Sequence, residues 1–233
     1  TPVSTKRFSW DLTFNFSKIN NKVLALYPGT DQLGNGFSQI IVGQPYGVKF
    51  GGRMKRTDAG ELLLDANGLP IRDDVDGVVG NITPDWMAGI NNNIRYGQLS
   101  LSFFFDMKKG GDIENNVDGY GSFYGTTKAS EDRAPRVFKG ISEVDGKPNT
   151  VPADMQTYFQ NFGGLLENVI QDGTYVKLRT VSLSYEFKPS LLAHTPFKSA
   201  SIAVTGRNLW IYSPHFTGAD PEVSSFGSSN GSQ

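Results

Sequence analysis

Large apolar and small polar residues alternate without interruption from Phe8 to Ser17, with Phe, Trp or Leu at every second position. Successive side chains of a β-strand point to opposite faces, so this segment predicts a strand with one apolar and one polar face. The same alternation recurs at 99–103 and 181–187. The sequence therefore predicts a sheet whose two faces differ in chemistry.

Seven strands are predicted from this pattern and from the Gly and Pro residues between them. They are 8–18, 38–42, 46–54, 86–95, 99–107, 175–188 and 200–211. Short and long links alternate between them, and the longest link runs from 108 to 174. If adjacent strands are antiparallel, all long links lie at one edge. That arrangement is typical of outer-membrane β-barrels, which have short periplasmic turns and long extracellular loops.

The apolar positions carry mostly aromatic residues, Leu and Met, whereas the opposite positions carry Ser, Thr, Asn and Asp. A lipid-facing wall with a wet interior would show this composition. Aromatic residues near strand ends could form an interfacial girdle: Trp86, Tyr96, Trp210 and Tyr212. Phe104 breaks the alternation, and we expect it to pack against something on the polar side. Half-buried sheets of soluble proteins also alternate, so periodicity alone leaves lipid and a protein core both open.

The chain of 233 residues has 22 basic and 23 acidic side chains, a formal net charge of −1. A near-neutral chain lacks the concentrated basic surface that nucleic-acid binding requires, so no nucleic-acid partner is expected. Cysteine is absent, which removes disulfides and thiolate ligands from this chain. The only histidines, His194 and His215, lie in links without a recognisable nucleophile partner. We therefore predict no enzyme activity, no metal site and no cofactor.

The link from 109 to 172 contains six basic and ten acidic residues, a net charge of −4. This charge disfavours polyanionic ligands. Aromatic residues on a long loop can stack on sugar rings or grip peptides, although they can also pack the loop on itself or on a partner protein. The candidate ligand or partner contacts are Tyr120, Phe123, Tyr124, Arg133, Arg136, Tyr158, Phe159 and Phe162. Polar-face residues that could line a pathway are Asn15, Asn91, Asn93 and Asp106.

Several segments, in order along nearly the whole chain, resemble the SusC/RagA-type TonB-dependent transporters of Bacteroidetes outer membranes. The segments that carry this resemblance are FSWD at 8–11, NFSK at 15–18, NNKV at 20–23, VGQPYG at 42–47, TPDW at 83–86, GINN at 89–92, LSLSF at 99–103, DMKKGGD at 106–112, GTYVKLR at 173–179, VTGRNLW at 204–210 and GADPE at 218–222.

The resemblance implies an all-β fold, about seven strands of a 22-stranded transmembrane antiparallel barrel in a Gram-negative outer membrane. It further implies an N-terminal plug, energisation by TonB and a SusD-like surface lipoprotein, which together import oligosaccharides or peptides. On this reading, residues 1–233 are the C-terminal part of the barrel, without plug, TonB box or last strand, and 108–174 is a long extracellular loop. Strands 8–18 and 200–211 would then pair with the remaining barrel segments.

Two alternatives belong to other functional classes. A soluble all-β carbohydrate-binding module would extract into buffer, whereas a barrel segment would need detergent. A glycoside hydrolase fragment would need two carboxylates about 5–10 Å apart in a cleft, and no pair is indicated.

Overall fold

A computed structural model of the protein describes residues 2–34 and 37–222, and within them the fold is built mainly of β-strands. The strands are β1 (Val3–Ser4), β2 (Phe8–Ser17), β3 (Gln32–Leu33), β4 (Ser38–Ile41), β5 (Val48–Gly51), β6 (Leu63–Leu64), β7 (Gly77–Asn81), β8 (Pro84–Tyr96), β9 (Leu99–Gly110), β10 (Asp112–Glu114), β11 (Arg136–Val137), β12 (Ile141–Ser142), β13 (Pro152–Ala153), β14 (Ile170–Asp172), β15 (Tyr175–Glu186) and β16 (Ser201–Tyr212). The helices are α1 (Asn116–Phe123), α2 (Met155–Phe162), α3 (Leu166–Val169) and α4 (Pro189–Leu192), with one 3₁₀ turn at Lys128–Ser130. None of these helices has the length and hydropathy needed to cross a membrane.

The chain divides into two compact units. The sheet unit comprises the described residues of Thr1–Ile19, Pro84–Gly110 and Thr174–Pro214. The inserted unit comprises those of Asn20–Thr83, Gly111–Gly173 and the segment after Pro214. The all-β prediction is confirmed for the described chain, which is mostly strands with few helices.

The sheet unit is one antiparallel sheet in the order β1-β2-β8-β9-β15-β16. Five of its strands are 10 to 13 residues long. They coincide with the strands predicted at 8–18, 86–95, 99–107, 175–188 and 200–211. Alternation along the sequence therefore identified every long strand.

The predicted strands at 38–42 and 46–54 are not members of this sheet, so the expectation of seven barrel strands is wrong. The structure has β4 and β5 there, each four residues long, in a separate sheet of order β3-β4-β5-β7. Four residues rise only about 13 Å, roughly half the height of an apolar membrane band. Gly43, with φ of 85°, turns the chain soon after β4.

Continuous register gives the long-strand sheet one apolar and one polar face. One row of directly opposed residues on the apolar face consists of Trp10, Ile94, Leu101, Leu183 and Val204. A row on the opposite face consists of Thr13, Asn91, Phe104, Thr180 and Arg207. The apolar face is not sealed in a protein core, because Phe14 is 60% exposed and Leu183 is 49% exposed.

Phe104 is a large aromatic side chain on the polar face, and it lies over a glycine of the neighbouring strand. A Cβ atom added to Gly89 would come within 3.0 Å of the Phe104 ring. The expectation that Phe104 packs against something on the polar side is thus confirmed: its partner is the bare backbone of β8, a pairing known to stabilise glycines in sheets.

The two edges of the sheet carry connections of different length. The chain leaves for the inserted unit after Ser17 and Gly110 and returns at Pro84 and Tyr175, and the register places all four at one edge. We call this the insertion edge. The opposite, short-turn edge holds the turns at 5–7 and 97–98 and the connection 187–200, which contains α4. Between the five long strands, long and short connections alternate as predicted.

The hydrophobic core lies in the inserted unit. Of the fourteen buried apolar residues in the described chain, only Ala88 and Tyr175 belong to the sheet unit. The others are Val48, Met54, Leu64, Leu69, Ile113, Ala153, Met155, Phe162, Leu165, Leu166, Val169 and Phe216. The region predicted as a long loop is therefore a packed structure between 111 and 173, with three of the four helices.

One polar side chain is buried on the apolar face. Asn92 lies opposite Leu12 and Phe103 and is only 7% exposed. The indole Nε1 of Trp10 donates a hydrogen bond to its Oδ1 at 3.1 Å. This diagonal contact between β2 and β8 gives the Asn92 side-chain oxygen a hydrogen-bond donor. Without a donor, burial of that oxygen among apolar groups would destabilise the fold.

Trp10→Phe should therefore destabilise the protein by about 1–3 kcal/mol, because it leaves the Asn92 carbonyl without its donor. Adding Asn92→Leu to the same variant should recover much of that loss, since both polar partners are then gone. Urea unfolding in detergent measures both. Equal stability of Trp10→Phe and the unmodified protein would contradict this role.

Candidate functional site

Helix α1 presents three of the predicted contact residues together on the surface of the inserted unit. Tyr120 is 70% exposed, Phe123 is 44% exposed and Tyr124, at the C-cap, is 72% exposed. The rings of Phe123 and Tyr124 meet edge to face with centroids 5.0 Å apart. We call Tyr120, Phe123 and Tyr124 the α1 aromatic surface.

Helix α1 is held by its polar N-terminus and by close approach at two glycines. The side chain of Asn115 caps the helix by accepting a hydrogen bond from the Asp118 amide at 3.1 Å. A Cβ added at Gly119 would lie 2.7 Å from Val169 Cγ1 in α3, and one at Gly121 would lie 2.6 Å from Thr127 Cγ2. At Gly119 and Gly121, α1 therefore packs closely against two different neighbours, while Tyr120, Phe123 and Tyr124 stay exposed.

A second aromatic group surrounds Tyr158 in α2. Its ring stacks on Phe162 with centroids 5.6 Å apart and contacts Phe138 at 4.8 Å and Phe159 at 5.3 Å. Burial raises the pKa of the Tyr158 hydroxyl, which accepts a hydrogen bond from Asn168 Nδ2 at 3.3 Å. This group is partly buried.

Phe162 is not available to a ligand, which corrects its place among the predicted contacts. It is 6% exposed and forms a core cluster with Met54 and Leu165. The spacing Met155, Phe159, Phe162 is an i, i+4, i+7 pattern that marks the buried face of a helix, and it could have identified Phe162 as a core residue.

The two predicted arginines occupy different surroundings. The Arg133 guanidinium lies beside Gly125, with Nη2 3.0 Å from the position of an added Cβ there, directly after Tyr124. Arg136 instead pairs with Asp132, Nη2 to Oδ2 3.1 Å. The hydrogen bond from the Ala134 amide, followed by that from Arg136, lowers the pKa of Asp132. Arg133 therefore belongs beside the α1 aromatic surface, whereas Arg136 is occupied by its acidic neighbour.

The ends of α1 and α2 touch, which brings the two aromatic groups together. A Cβ added at Gly163, the C-cap of α2, would lie 3.1 Å from the Phe123 nitrogen and 3.2 Å from Ser122 Cβ. The structure thus joins an exposed aromatic surface on α1 to a packed aromatic support on α2.

A polar cluster that the sequence did not predict anchors the N-terminus of α1. Thr217 Oγ1 donates to Asp118 Oδ2 at 2.6 Å, and Gln171 Nε2 donates to the same oxygen at 3.1 Å. Asn115 Nδ2 donates to the Thr217 carbonyl at 2.9 Å. These residues lie up to 102 positions apart, so no local pattern could have linked them.

The polar-face residues also lie as predicted. Register places Asn15 and Asp106 opposite Gly89 on one face, and Asn91 and Asn93 occupy the same side of β8. Asp106 accepts hydrogen bonds from Arg179 Nε at 2.9 Å and from the Tyr175 hydroxyl at 3.3 Å.

Among the described residues, no group of three or more His, Asp or Glu side chains is arranged to hold a metal ion. The chemistry that the surface of the inserted unit offers is aromatic stacking, with an adjacent guanidinium.

Asp154 supports the aromatic group by capping α2. Its Oδ2 accepts hydrogen bonds from the backbone amide and the hydroxyl of Thr157, both at 2.7 Å. These bonds, led by that from the amide, lower the pKa of Asp154. A lowered pKa means that this contribution to stability is present above the ordinary Asp value of about 3.9 and is lost as pH falls through the folded-state value.

We expect hydrogen-exchange protection of the α2 amides to fall in acid for the unmodified protein. Asp154→Asn keeps a good cap without a titrating group, so its protection should change less over the same pH range. Asp154→Ala should weaken protection at neutral pH as well. An identical acid response of Asp154→Asn and the unmodified protein would contradict this role.

No family model matches the chain. In sequence it is similar to three receptors of Formosa agariphila. TonB-dependent receptor P3 is 26% identical over 95% of this chain and 24% of the receptor. TonB-dependent receptor P26 is 28% identical over 97% of this chain and 25% of the receptor. TonB-dependent receptor P39 is 22% identical over 97% of this chain and 27% of the receptor. The chain thus spans about a quarter of the length of these relatives.

Among solved structures, the RagAB peptide importer in its closed-closed state matches 95% of this chain and 26% of its own, with a TM-score of 0.67 and 18% identity. A structure of the RagAB peptide transporter matches 94% of this chain and 25% of its own, with a TM-score of 0.66 and 20% identity. At this identity the likeness is one of fold. The predicted resemblance to SusC/RagA-type TonB-dependent transporters is thereby confirmed: the chain is similar to TonB-dependent receptors in sequence and to RagAB in fold.

Proposed function

We propose that this chain forms the C-terminal part of the barrel of a TonB-dependent outer-membrane importer. With a SusD-like surface lipoprotein, the importer takes up oligosaccharides or peptides. The observation that carries the proposal is the exposed apolar face of the five long strands, together with the similarity to TonB-dependent receptors.

The apolar face suits hydrocarbon better than water. Phe14, Phe16, Leu183, Ile202 and Val204 are each between 49% and 73% exposed. Soluble monomers rarely expose contiguous apolar patches of more than a few hundred Å². Ten residues tilted by about 40° rise near 25 Å, the height of the apolar band on outer-membrane barrels.

The outer strands need further partners if the sheet lies in a membrane. Open sheet edges do not occur in hydrocarbon, because each unpaired backbone group there costs several kcal/mol. Strand β1 pairs only with Ser9 and Trp10 of β2. We therefore propose that β2 and β16 pair with other segments of a 22-stranded barrel, which encloses a plug and reaches TonB through segments outside this chain.

The α1 aromatic surface is the proposed contact for cargo or lipoprotein, with Arg133 beside it. Tyr158 and Phe159 support it from α2, and Arg136 lies at its margin. Exposed tyrosine rings can stack on pyranose rings or on peptide side chains. The net charge of −4 on residues 109–172 favours neutral or cationic cargo.

The membrane placement can be tested with nitroxide labels, because the chain contains no cysteine. In lipid vesicles, a label at Leu183→Cys should be relaxed by oxygen dissolved in lipid and shielded from a water-soluble nickel complex. The matched label at Ser182→Cys, on the opposite face, should respond to the nickel complex. Equal nickel access at both positions would contradict the barrel and favour the soluble carbohydrate-binding module.

Cargo contact can be tested by replacing Tyr120 and Tyr124 with Ala. We expect affinity for the transported oligosaccharide or peptide to fall about tenfold, because stacking on each ring is lost. Tyr27→Ala is the matched control, since Tyr27 is 83% exposed in the same unit but distant in sequence from α1. Unchanged affinity in the double variant would remove these tyrosines from the site.

A further inference from the structure

Charge is unevenly divided between the two units. The sheet unit has eleven Lys and Arg residues but four Asp and Glu, a net charge of +7. The inserted unit also has eleven basic residues but nineteen acidic ones, a net charge of −8. The near-neutral net charge of the chain is therefore the sum of a strongly basic sheet unit and an acidic inserted unit. The positions of the basic residues in the sheet unit indicate which ligand they contact.

Four of these cations gather at the short-turn edge. Lys6 and Arg7 form the turn before β2, Lys188 follows β15 and Lys198 precedes β16. Register keeps them at one edge, because the ends of the long strands are paired in sequence from β2 to β16. All four are exposed, and none forms an ion pair within the part of the chain that the structure describes.

The acidic side chain at this edge is already engaged. Glu186 accepts a hydrogen bond from Arg95 at 3.4 Å, and both side chains are about 60% exposed. The four remaining cations thus leave the short-turn edge with an excess of positive charge.

The connection 187–200 adds apolar side chains to this charge. Its short helix α4 begins with Pro189 and carries Leu191, which is 62% exposed, and Phe197 is 64% exposed near the far end. Lys188 and Lys198 flank these residues. Cations beside exposed Leu and Phe are typical of segments that lie in the interface of a membrane, where long basic side chains reach the headgroups.

We propose that the short-turn edge binds anionic phospholipid headgroups. Lys6, Arg7, Lys188 and Lys198 would contact the phosphates, while Leu191 and Phe197 enter the boundary of the acyl chains. This inference rests on the proposed membrane placement of the sheet.

Continuity with the apolar face favours lipid as the occupant. Ile202 and Val204, 59% and 73% exposed, continue the apolar surface along β16 from Phe197. A water-soluble anion could bind the lysines, but it would leave the apolar side chains of Leu191 and Phe197 exposed to water. A phospholipid satisfies both, because its charged and apolar parts meet at the same depth.

A depth measurement separates this inference from the barrel itself. In vesicles of phosphatidylcholine and phosphatidylglycerol, a nitroxide at Leu191→Cys of the intact protein should be shielded from a water-soluble nickel complex. Val144→Cys, at a 72% exposed position of the inserted unit, should be fully accessible. If Leu183→Cys is lipid-exposed but Leu191→Cys is as accessible as Val144→Cys, the inference fails and the barrel stands. If Leu183→Cys is also accessible, the proposed function fails as well.

Lipid selectivity tests the role of the cations. Spin-labelled phosphatidylglycerol should associate with the intact protein more strongly than spin-labelled phosphatidylcholine. In Lys188→Gln/Lys198→Gln, this preference should fall by up to about fivefold for each cation removed. Lys139→Gln/Lys147→Gln makes the same charge change at exposed positions of the inserted unit and should leave the preference intact. The inference is overturned if the unmodified protein shows no preference, or if both double variants respond alike.

Discussion

The cross-strand register from β2 to β16 is the constraint on which the structure depends. Because side chains alternate with a period of two, a slip of one residue would move an entire apolar row to the polar face. Register shifts at two places: between Pro84 and Trp86, where β8 pairs with β9, and at Arg179 between Leu178 and Thr180. Strand β16 accommodates the same region with Asn208 at a φ of 50°. Both faces therefore keep their chemistry beyond the bulge, while Arg179 is brought to Asp106 on the polar side.

The two units differ in how much of their apolar surface they bury. The inserted unit has a conventional core, in which Met54, Phe162 and Leu165 are each 6% exposed. The sheet unit buries few large apolar residues against its own atoms, and Phe14, Leu183 and Val204 of its apolar face stay exposed. The proposed cargo contacts lie on the inserted unit, where α1 packs closely at Gly119 and keeps Tyr120 and Tyr124 exposed.

The long strands could be predicted because alternation over ten or more residues is a strong signal. The same local pattern did not predict the short length and separate sheet of β4 and β5. Nearby turns and packing set the length of these strands, and alternation does not encode either. Helix α1 was missed because Gly119 and Gly121 weaken helix propensity, and its stability depends on contact with residues far along the chain. Residue type pointed to aromatic residues, of which Tyr120, Phe123 and Tyr124 are exposed. Helical spacing is the signal that distinguishes Phe162, which is buried in the core, from Tyr120, which is exposed.

The hydrogen bond between Trp10 and Asn92 has a consequence for the order of assembly. It joins strands that are neighbours in the sheet but 82 residues apart in sequence. If the apolar face meets lipid as proposed, an amide without its indole donor would enter hydrocarbon at a high cost, so β2 and β8 should pair before they contact the acyl chains. Compaction of the intervening segment 20–83 shortens the distance that its ends must close. On the proposed membrane placement, pairing of β2 with β8 in water therefore comes before the apolar face enters the bilayer.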